Sequence, residues 1–288
     1  MLGQDTFTIQ SDFWGDVVVP DSSQVPTKYV GGSIKDHKLR VGFSEETAVD
    51  FGKNILRFAP TLIRYTCHPD SHLNLVPLAD VYQIGTGEVI VLYIKLNASP
   101  ASEVMWHIDF DVMNRGQLAI LLSGLCSAVI RMHNEMGLIH GDIKPDNILF
   151  DFERGMMFAC NLQAMILGDY ETVRENGILV SQAAMGTERY APPELLERRR
   201  FDTVYSYLSD QYSLGLTIIE MLIAKFMREI DVDFVDNGRV SEGAINLLRR
   251  HFGGSVADVL LSAVQPNMND RFVTMYHFQE ALCLAILQ

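Results

Sequence analysis

The most informative segment of the chain reads Ile139-His140-Gly141-Asp142-Ile143-Lys144-Pro145-Asp146-Asn147-Ile148-Leu149. It places an acid, a base and an amide in one short loop that has apolar residues at both ends. The carboxylate of Asp142 can orient or deprotonate a hydroxyl group. The ammonium group of Lys144 can neutralise phosphate charge, and the side-chain oxygen of Asn147 suits a hard cation such as Mg²⁺. Taken alone, such a loop is also compatible with a solvated polar turn.

This segment resembles the catalytic loop of eukaryotic-type protein kinases, whose pattern is H-R-D-x-x-x-x-N. The resemblance implies that Asp142 accepts or orients the substrate hydroxyl and that Lys144 contacts the γ-phosphate of ATP. It also implies that Asn147 binds Mg²⁺ and so helps to hold the nucleotide. Lys144 followed by Pro145 is typical of the Ser/Thr members. Gly141 stands where the family has an arginine that pairs with a phosphorylated activation loop, which implies activity without that phosphorylation.

Two further segments resemble the ends of the kinase activation segment. The first, Ile166-Leu167-Gly168-Asp169-Tyr170-Glu171, resembles the strand and D-F-G motif. It implies that Asp169 is a second Mg²⁺ ligand beside Asn147. The other, Gly186-Thr187-Glu188-Arg189-Tyr190-Ala191-Pro192-Pro193-Glu194, resembles the closing pattern G-T-x-x-Y-x-A-P-E. Its Thr187 again follows the Ser/Thr pattern.

The C-terminal part of the chain continues the resemblance. Residues 209–215, Ser-Asp-Gln-Tyr-Ser-Leu-Gly, resemble the D-x-x-S-L-G start of the buried central helix. Arg271 stands where the family has an arginine that pairs with the glutamate of A-P-E, here Glu194. The motifs together cover nearly all of residues 120–285, which predicts a kinase-like fold.

The nucleotide-binding loop matches the family poorly. Kinases cover the ATP phosphates with G-x-G-x-x-G-x-V, because glycine lets backbone amides approach closely. In the best register Gly15 and Val17 match, and they are the predicted nucleotide contacts, but Gln10 and Asp12 replace the first two glycines. A plain β-turn is an equally good interpretation of this segment.

The nucleotide-binding lysine is predicted at Lys35. A three-residue insertion before it brings Ser33-Ile34-Lys35 into register with the A-I-K part of V-A-I-K. Its acidic partner on the following helix is then Glu46 or Asp50. The alternative is that Lys35 is simply solvated.

The order of elements predicts an α+β, two-lobed protein-kinase-like fold. Residues 1–96 form a small β-rich lobe with one helix at 44–58, and residues 97–288 form a larger, mainly helical lobe. The predicted strands are Thr6–Ile9, Asp16–Val19, Lys28–Ile34, Leu75–Gln83 and Glu88–Lys95. The predicted helices of the larger lobe contain Leu118–Met132 and then cover Ser209–Ile223, Ser241–His251, Gly254–Val264 and Met275–Leu287.

The charge composition indicates which classes of partner the protein can bind. The 23 basic and 36 acidic residues give a formal net charge of −13. A chain with this charge is poorly suited to binding nucleic acid and well suited to binding basic protein substrates.

The longest nearly apolar run, Leu118–Ile130, is too short to span a bilayer. The first ten residues contain no basic segment followed by an apolar one, so we do not expect secretion. The four cysteines show no zinc spacing, so we expect reduced thiols in a cytoplasmic or nuclear protein.

The sequence therefore predicts a protein kinase that transfers the γ-phosphate of ATP to Ser or Thr hydroxyls with Mg²⁺. A pseudokinase, a binding or allosteric module with weak or no transfer, is the main alternative, and the poor nucleotide loop favours it. A small-molecule kinase on the same fold is a third hypothesis. The Ala191-Pro192-Pro193-Glu194 segment, which shapes a peptide platform in the family, argues against it.

Overall fold

The computed structural model describes residues 6–11, 15–20, 74–75, 78–84, 88–93, 99–151, 156–159, 178–181, 187–196, 203–230, 234–236 and 239–288. The chain divides into two compact units. The first consists of Met1–His72 and Val76–Leu96, and the second of Leu73–Leu75 and Asn97–Gln288.

The first unit contains two antiparallel strand pairs in its described part. Strands β1 and β2 are paired with Ile9 opposite Val17 and Ser11 opposite Gly15. Strands β3 and β4 are paired with Val81 opposite Val91. The four strands are β1 Thr6–Ser11, β2 Gly15–Pro20, β3 Leu78–Ile84 and β4 Glu88–Tyr93.

These four strands were predicted with ends that differ by a few residues. The largest difference is at β3, which begins at Leu78 instead of Leu75. Leu75 is a buried residue of the second unit. Its apolar side chain therefore does not belong to strand β3 of the first unit. The predicted strand at 28–34 and the predicted helix at 44–58 lie outside the described residues.

The second unit is mainly helical. Its α-helices, numbered within the described part, are α1 Ala101–Val104, α2 Arg115–Arg131, α3 Pro193–Leu196, α4 Tyr207–Ile230, α5 Glu242–Phe252, α6 Gly254–Ala263 and α7 Met275–Leu287. Three of them start at the side-chain caps Asn114, Ser241 and Thr274, whose oxygens accept backbone N–H bonds of the first turn. The predictions for α5, α6 and α7 are correct to within one residue.

The second unit also contains short strands that the sequence pattern does not predict. They are β5 Ser99–Pro100, β6 Ile148–Asp151, β7 Met156–Ala159, β8 Ile178–Ser181, β9 Thr203–Ser206, β10 Val235–Asp236 and β11 Arg239–Val240. With two to four residues each, they are too short to show an alternating pattern. Strand β6 matters for the site, because it directly follows the loop quoted above and pairs with both β5 and β7.

Helix α2 is a core element. Leu118, Leu122, Leu125 and Val129 form its buried face, at the spacing of three and four that predicted it. A π-helical turn, Met132–Met136, continues the helix. By length and composition, the helical stretch Arg115–Met136 could cross a bilayer. However, 56% of its most apolar 18-residue segment is buried inside the protein, as in a core helix.

Helix α4 runs through the middle of the core. The predicted helix was too short: it starts two residues earlier, at Tyr207, and continues beyond Ile223 to Ile230. The buried apolar face of the helix also extends beyond Ile223, since Phe226 and Met227 are buried. Gly215 lets α6 approach closely, since a Cβ atom there would lie 2.7 Å from Cγ1 of Val264.

Candidate active site

The loop between the π-helical turn and β6 carries the predicted catalytic residues. Its apolar residues Ile139, Ile143 and Ile148 are buried and hold both ends in the core. A short 3₁₀ turn, Pro145–Asn147, leads into β6. Because both ends are packed, the polar side chains between them have defined positions.

A buried aspartate of α4 holds the backbone of this loop. Asp210 is fully buried. Its Oδ2 accepts the backbone N–H of His140 at 2.7 Å, and its Oδ1 accepts that of Gly141 at 2.8 Å. Nε2 of His133 lies 2.8 Å from Oδ2, and the His133 ring stacks on Tyr207 with 4.2 Å between centroids. Asp210 thus contacts two backbone N–H groups and the His133 ring.

Gly141 has a conformation that explains its residue type. Its φ of 72° lies in the left-handed region, where side chains with a Cβ are strained. The same backbone conformation directs its N–H towards Asp210. The glycine that replaces the family's arginine therefore fits the local backbone of this chain.

The structure brings Asp142, Lys144 and Asn147 together. Nζ of Lys144 lies 3.0 Å from Oδ2 of Asp142. Nδ2 of Asn147 donates to the backbone oxygen of Asp142 at 2.6 Å and to its Oδ2 at 3.1 Å. The asparagine amide therefore fixes the rotamer of the aspartate. Its side-chain oxygen, at the other end of the same amide, is the type of ligand that Mg²⁺ binds.

Thr187 completes this cluster from a distant part of the chain. Its hydroxyl donates to Oδ1 of Asp142 at 2.9 Å and accepts from Nζ of Lys144 at 2.5 Å. Its backbone N–H also donates to Oδ1 at 2.9 Å. Thr187 therefore bridges the carboxylate of Asp142 and the ammonium group of Lys144.

A second buried acid holds the turn that follows Thr187. Glu220 of α4 accepts from Nη2 of Arg189 at 2.8 Å and from the hydroxyl of Tyr190. Burial raises the pKa of Glu220, and the hydrogen bond from Tyr190 and the charge of Arg189 oppose that rise. Burial, followed by the charge of Glu220, also raises the pKa of the Tyr190 hydroxyl. Tyr190 therefore stays protonated and remains a donor.

The predicted ion pair between Glu194 and Arg271 is confirmed. Nη1 and Nη2 of Arg271 donate to Oε1 and Oε2 of Glu194, both at 2.8 Å. The remaining donors of the guanidinium bond backbone oxygens of Gln265, Pro266 and Leu208. The arginine side chain is completely buried.

Four predicted site residues, Gly15, Val17, Lys35 and Asp169, stay predictions. The backbone of Gly15 and Val17 lies in β2, in the first unit. Lys35 and Asp169 lie outside the described residues. Within the described ranges, no group of three His, Cys, Asp or Glu side chains is placed to hold a metal ion.

The sequence pattern does not reveal the roles of Asp210, Glu220 and Thr187 in this geometry. A signal was present for Glu220, which is the single charged residue in the apolar stretch from Leu214 to Ala224. Buried charges in such stretches are normally paired. The identity of the partner could not be read from the pattern.

Comparison with known proteins identifies the family. The family model described as "Protein kinase domain" matches residues 63–248. The chain belongs to this family, which confirms the resemblance found in the sequence. Serine/threonine-protein kinase PknA of Nostoc sp. is 29% identical over 178 residues, 61% of this chain and 29% of the relative. Serine/threonine-protein kinase MST20 of Pyricularia oryzae is 30% identical over 152 residues, 53% of this chain and 15% of the relative.

Solved structures confirm the fold. A double mutant of the Mycobacterium tuberculosis PknI kinase domain is similar over 97% of this chain and 93% of its own, with a TM-score of 0.59 and 18% identity. Another PknI kinase domain structure has a TM-score of 0.56 and 17% identity, over 96% of this chain and 93% of that one. The predicted protein-kinase-like fold is therefore correct. The chain spans less than a third of the length of the curated relatives it matches.

Proposed function

We propose that this chain is a Ser/Thr protein kinase, which transfers the γ-phosphate of ATP to hydroxyl groups of protein substrates. Members of the family use ATP and Mg²⁺ and act on proteins. The observation that carries the proposal is the cluster of Asp142, Lys144, Asn147 and Thr187, which fixes a carboxylate and a cation side by side.

Each side chain of the cluster has its own role in the reaction. Asp142 orients the acceptor hydroxyl and takes its proton as the oxygen attacks the γ-phosphorus, while the bond from that phosphorus to the bridging oxygen breaks and ADP leaves. Lys144 neutralises charge on the transferring phosphoryl group. Asn147 holds the carboxylate of Asp142 in place, and its side-chain oxygen would be available to bind Mg²⁺. Bound Mg²⁺ would supply further neutralisation of the phosphate charge.

The remaining nucleotide contacts belong to the proposal as well. Asp169 would bind Mg²⁺ together with Asn147, and Gly15, Val17 and Lys35 would contact ATP. Residues 1–96 and 97–288 would then be the two lobes of a single kinase domain. The net charge of −13 supports basic proteins as substrates, through electrostatic complementarity.

A pseudokinase remains the second candidate function. Gln10 and Asp12 replace two glycines of the nucleotide loop, and the carboxylate of Asp12 is unfavourable near phosphate. In that case the chain would bind a partner without effective transfer.

The test of the proposed function is transfer of labelled γ-phosphate from Mg-ATP to a basic protein, by the wild type and by Asp142→Asn. We expect transfer by the wild type and a decrease of about 100-fold or more in the variant, the range for loss of a general base. Asparagine keeps an acceptor for the Thr187 N–H, so the variant should fold. No transfer by the folded wild type with several substrates would favour the pseudokinase.

Thr187→Val should lower the transfer rate by about tenfold to 100-fold, the scale for a misplaced catalytic group. Valine has a similar shape but cannot bridge Asp142 and Lys144. The measurement is kcat with a fixed peptide substrate, and Thr187→Ser, which restores the hydroxyl, is the matched control. A valine variant within about twofold of the wild type would contradict a role for the bridge.

A further inference from the structure

Two neighbouring side chains attach the turn after Thr187 to helix α4 through a single carboxylate. Arg189 and Tyr190 each donate to one oxygen of Glu220. The Glu220 side chain is 4% exposed, whereas that of Arg189 is 49% exposed. A surface arginine therefore compensates a buried negative charge.

The backbone of the turn connects this attachment to Thr187. The N–H groups of Tyr190 and Ala191 donate to the carbonyl oxygen of Thr187 at 2.9 and 3.0 Å. The hydroxyl of Ser213 donates to the carbonyl oxygen of Tyr190 at 2.9 Å. The turn is thus one hydrogen-bonded unit, with Glu220 at one end and Asp142, bound to Thr187, at the other.

We infer that Arg189 is a positioning residue for phosphoryl transfer. By compensating Glu220 and holding the turn, it fixes the position of Thr187 against Asp142 and Lys144. This inference rests on the proposed function and adds to it a residue that acts without touching the reacting atoms.

The charges around Glu220 support this role. Asp146 adds a second negative charge, which raises the pKa of Glu220 further, and Arg189 acts in the opposite direction. A buried carboxylate without its cation is strongly unfavourable. The guanidinium of Arg189 also lies over the ring of Phe234, 5.3 Å from its centroid, which fixes the orientation of the side chain.

The first test is the kinetics of Arg189→Gln with Mg-ATP and a peptide substrate. We expect kcat to fall about tenfold or more, with both KM values within about twofold of the wild type, because binding is not affected. Arg189→Lys should recover kcat to within about threefold, since it restores the positive charge. Arg249→Gln is the control, because Arg249 pairs with Asp258 on the surface and should leave both parameters unchanged. A raised peptide KM with unchanged kcat would overturn the inference, because it would place Arg189 in contact with substrate.

The second test does not require activity. Amide hydrogen exchange at Thr187, Tyr190 and Ala191 should be about tenfold faster in Arg189→Gln than in the wild type, because the turn opens more often. Exchange rates equal to those of the wild type would overturn the inference, whatever the value of kcat. An inactive wild type would count against the proposed function and against a role in transfer, and the exchange rates would still decide whether Arg189 holds the turn.

Discussion

Replacing Arg271 by alanine should lower the free energy of unfolding by about 3–5 kcal/mol, the scale for breaking a buried ion pair. All five N–H groups of this guanidinium are bonded, to Glu194 and to three backbone oxygens. The group also lies 4.8 Å from the centroid of the Tyr212 ring. Alanine would leave a largely buried carboxylate and three carbonyl groups without these donors. Urea unfolding of the wild type and the variant measures the loss.

Two variants make this measurement specific. Arg271→Lys keeps the charge but not the paired geometry, so it should recover only part of the stability. Arg249→Ala removes an arginine whose ion pair is exposed, and it should cost less than about 1 kcal/mol. If Arg271→Ala were no more destabilising than Arg249→Ala, the pair with Glu194 would not hold the second unit together.

Asp210→Asn should destabilise the protein by about 3 kcal/mol, because it turns a buried acceptor into a donor that faces other donors. Asp210 accepts from the backbone of His140 and Gly141 and contacts the His133 ring, and an amide cannot satisfy all three. The backbone that it holds leads directly to Asp142. We therefore also expect phosphoryl transfer to fall about 100-fold at a temperature where the variant is folded.

The matched control for this variant is Asp258→Asn. Asp258 is an exposed aspartate paired with Arg249, and its loss should change neither stability nor transfer measurably. The expected effect of Asp210→Asn would be refuted by an unfolding free energy within about 1 kcal/mol of the wild type, measured by denaturant titration.

The loop that contains Asp142, Lys144 and Asn147 could be predicted because its polar side chains lie within six positions. Asp142, Lys144 and Asn147 are close in sequence, and the structure brings them into contact. The pair of Glu194 and Arg271 was also predicted, but through the family resemblance. The two residues are 77 positions apart, and the sequence between them carries no local signal for their contact.

Other parts of the site could not be predicted, because they depend on contacts between residues that are far apart in the sequence. The bond between Lys144 and Thr187 joins residues 43 positions apart, and that between Gly141 and Asp210 spans 69. An apolar helix with a buried acid indicates that a partner exists, but not which one. The roles of Lys35 and Asp169 stay predictions, because both lie outside the described residues.

The buried helix α4 also sets a distance and an angle between two parts of the site. Asp210 and Glu220 are 220 − 210 = 10 positions apart. In an α-helix this spacing separates them by about 15 Å along the axis and about 80° around it. One holds the catalytic loop and the other the turn after Thr187. A single inserted residue between them would rotate Glu220 by about 100°, so that both contacts could not form together. Changes of length in related chains should therefore occur in the connecting loops and not within this interval.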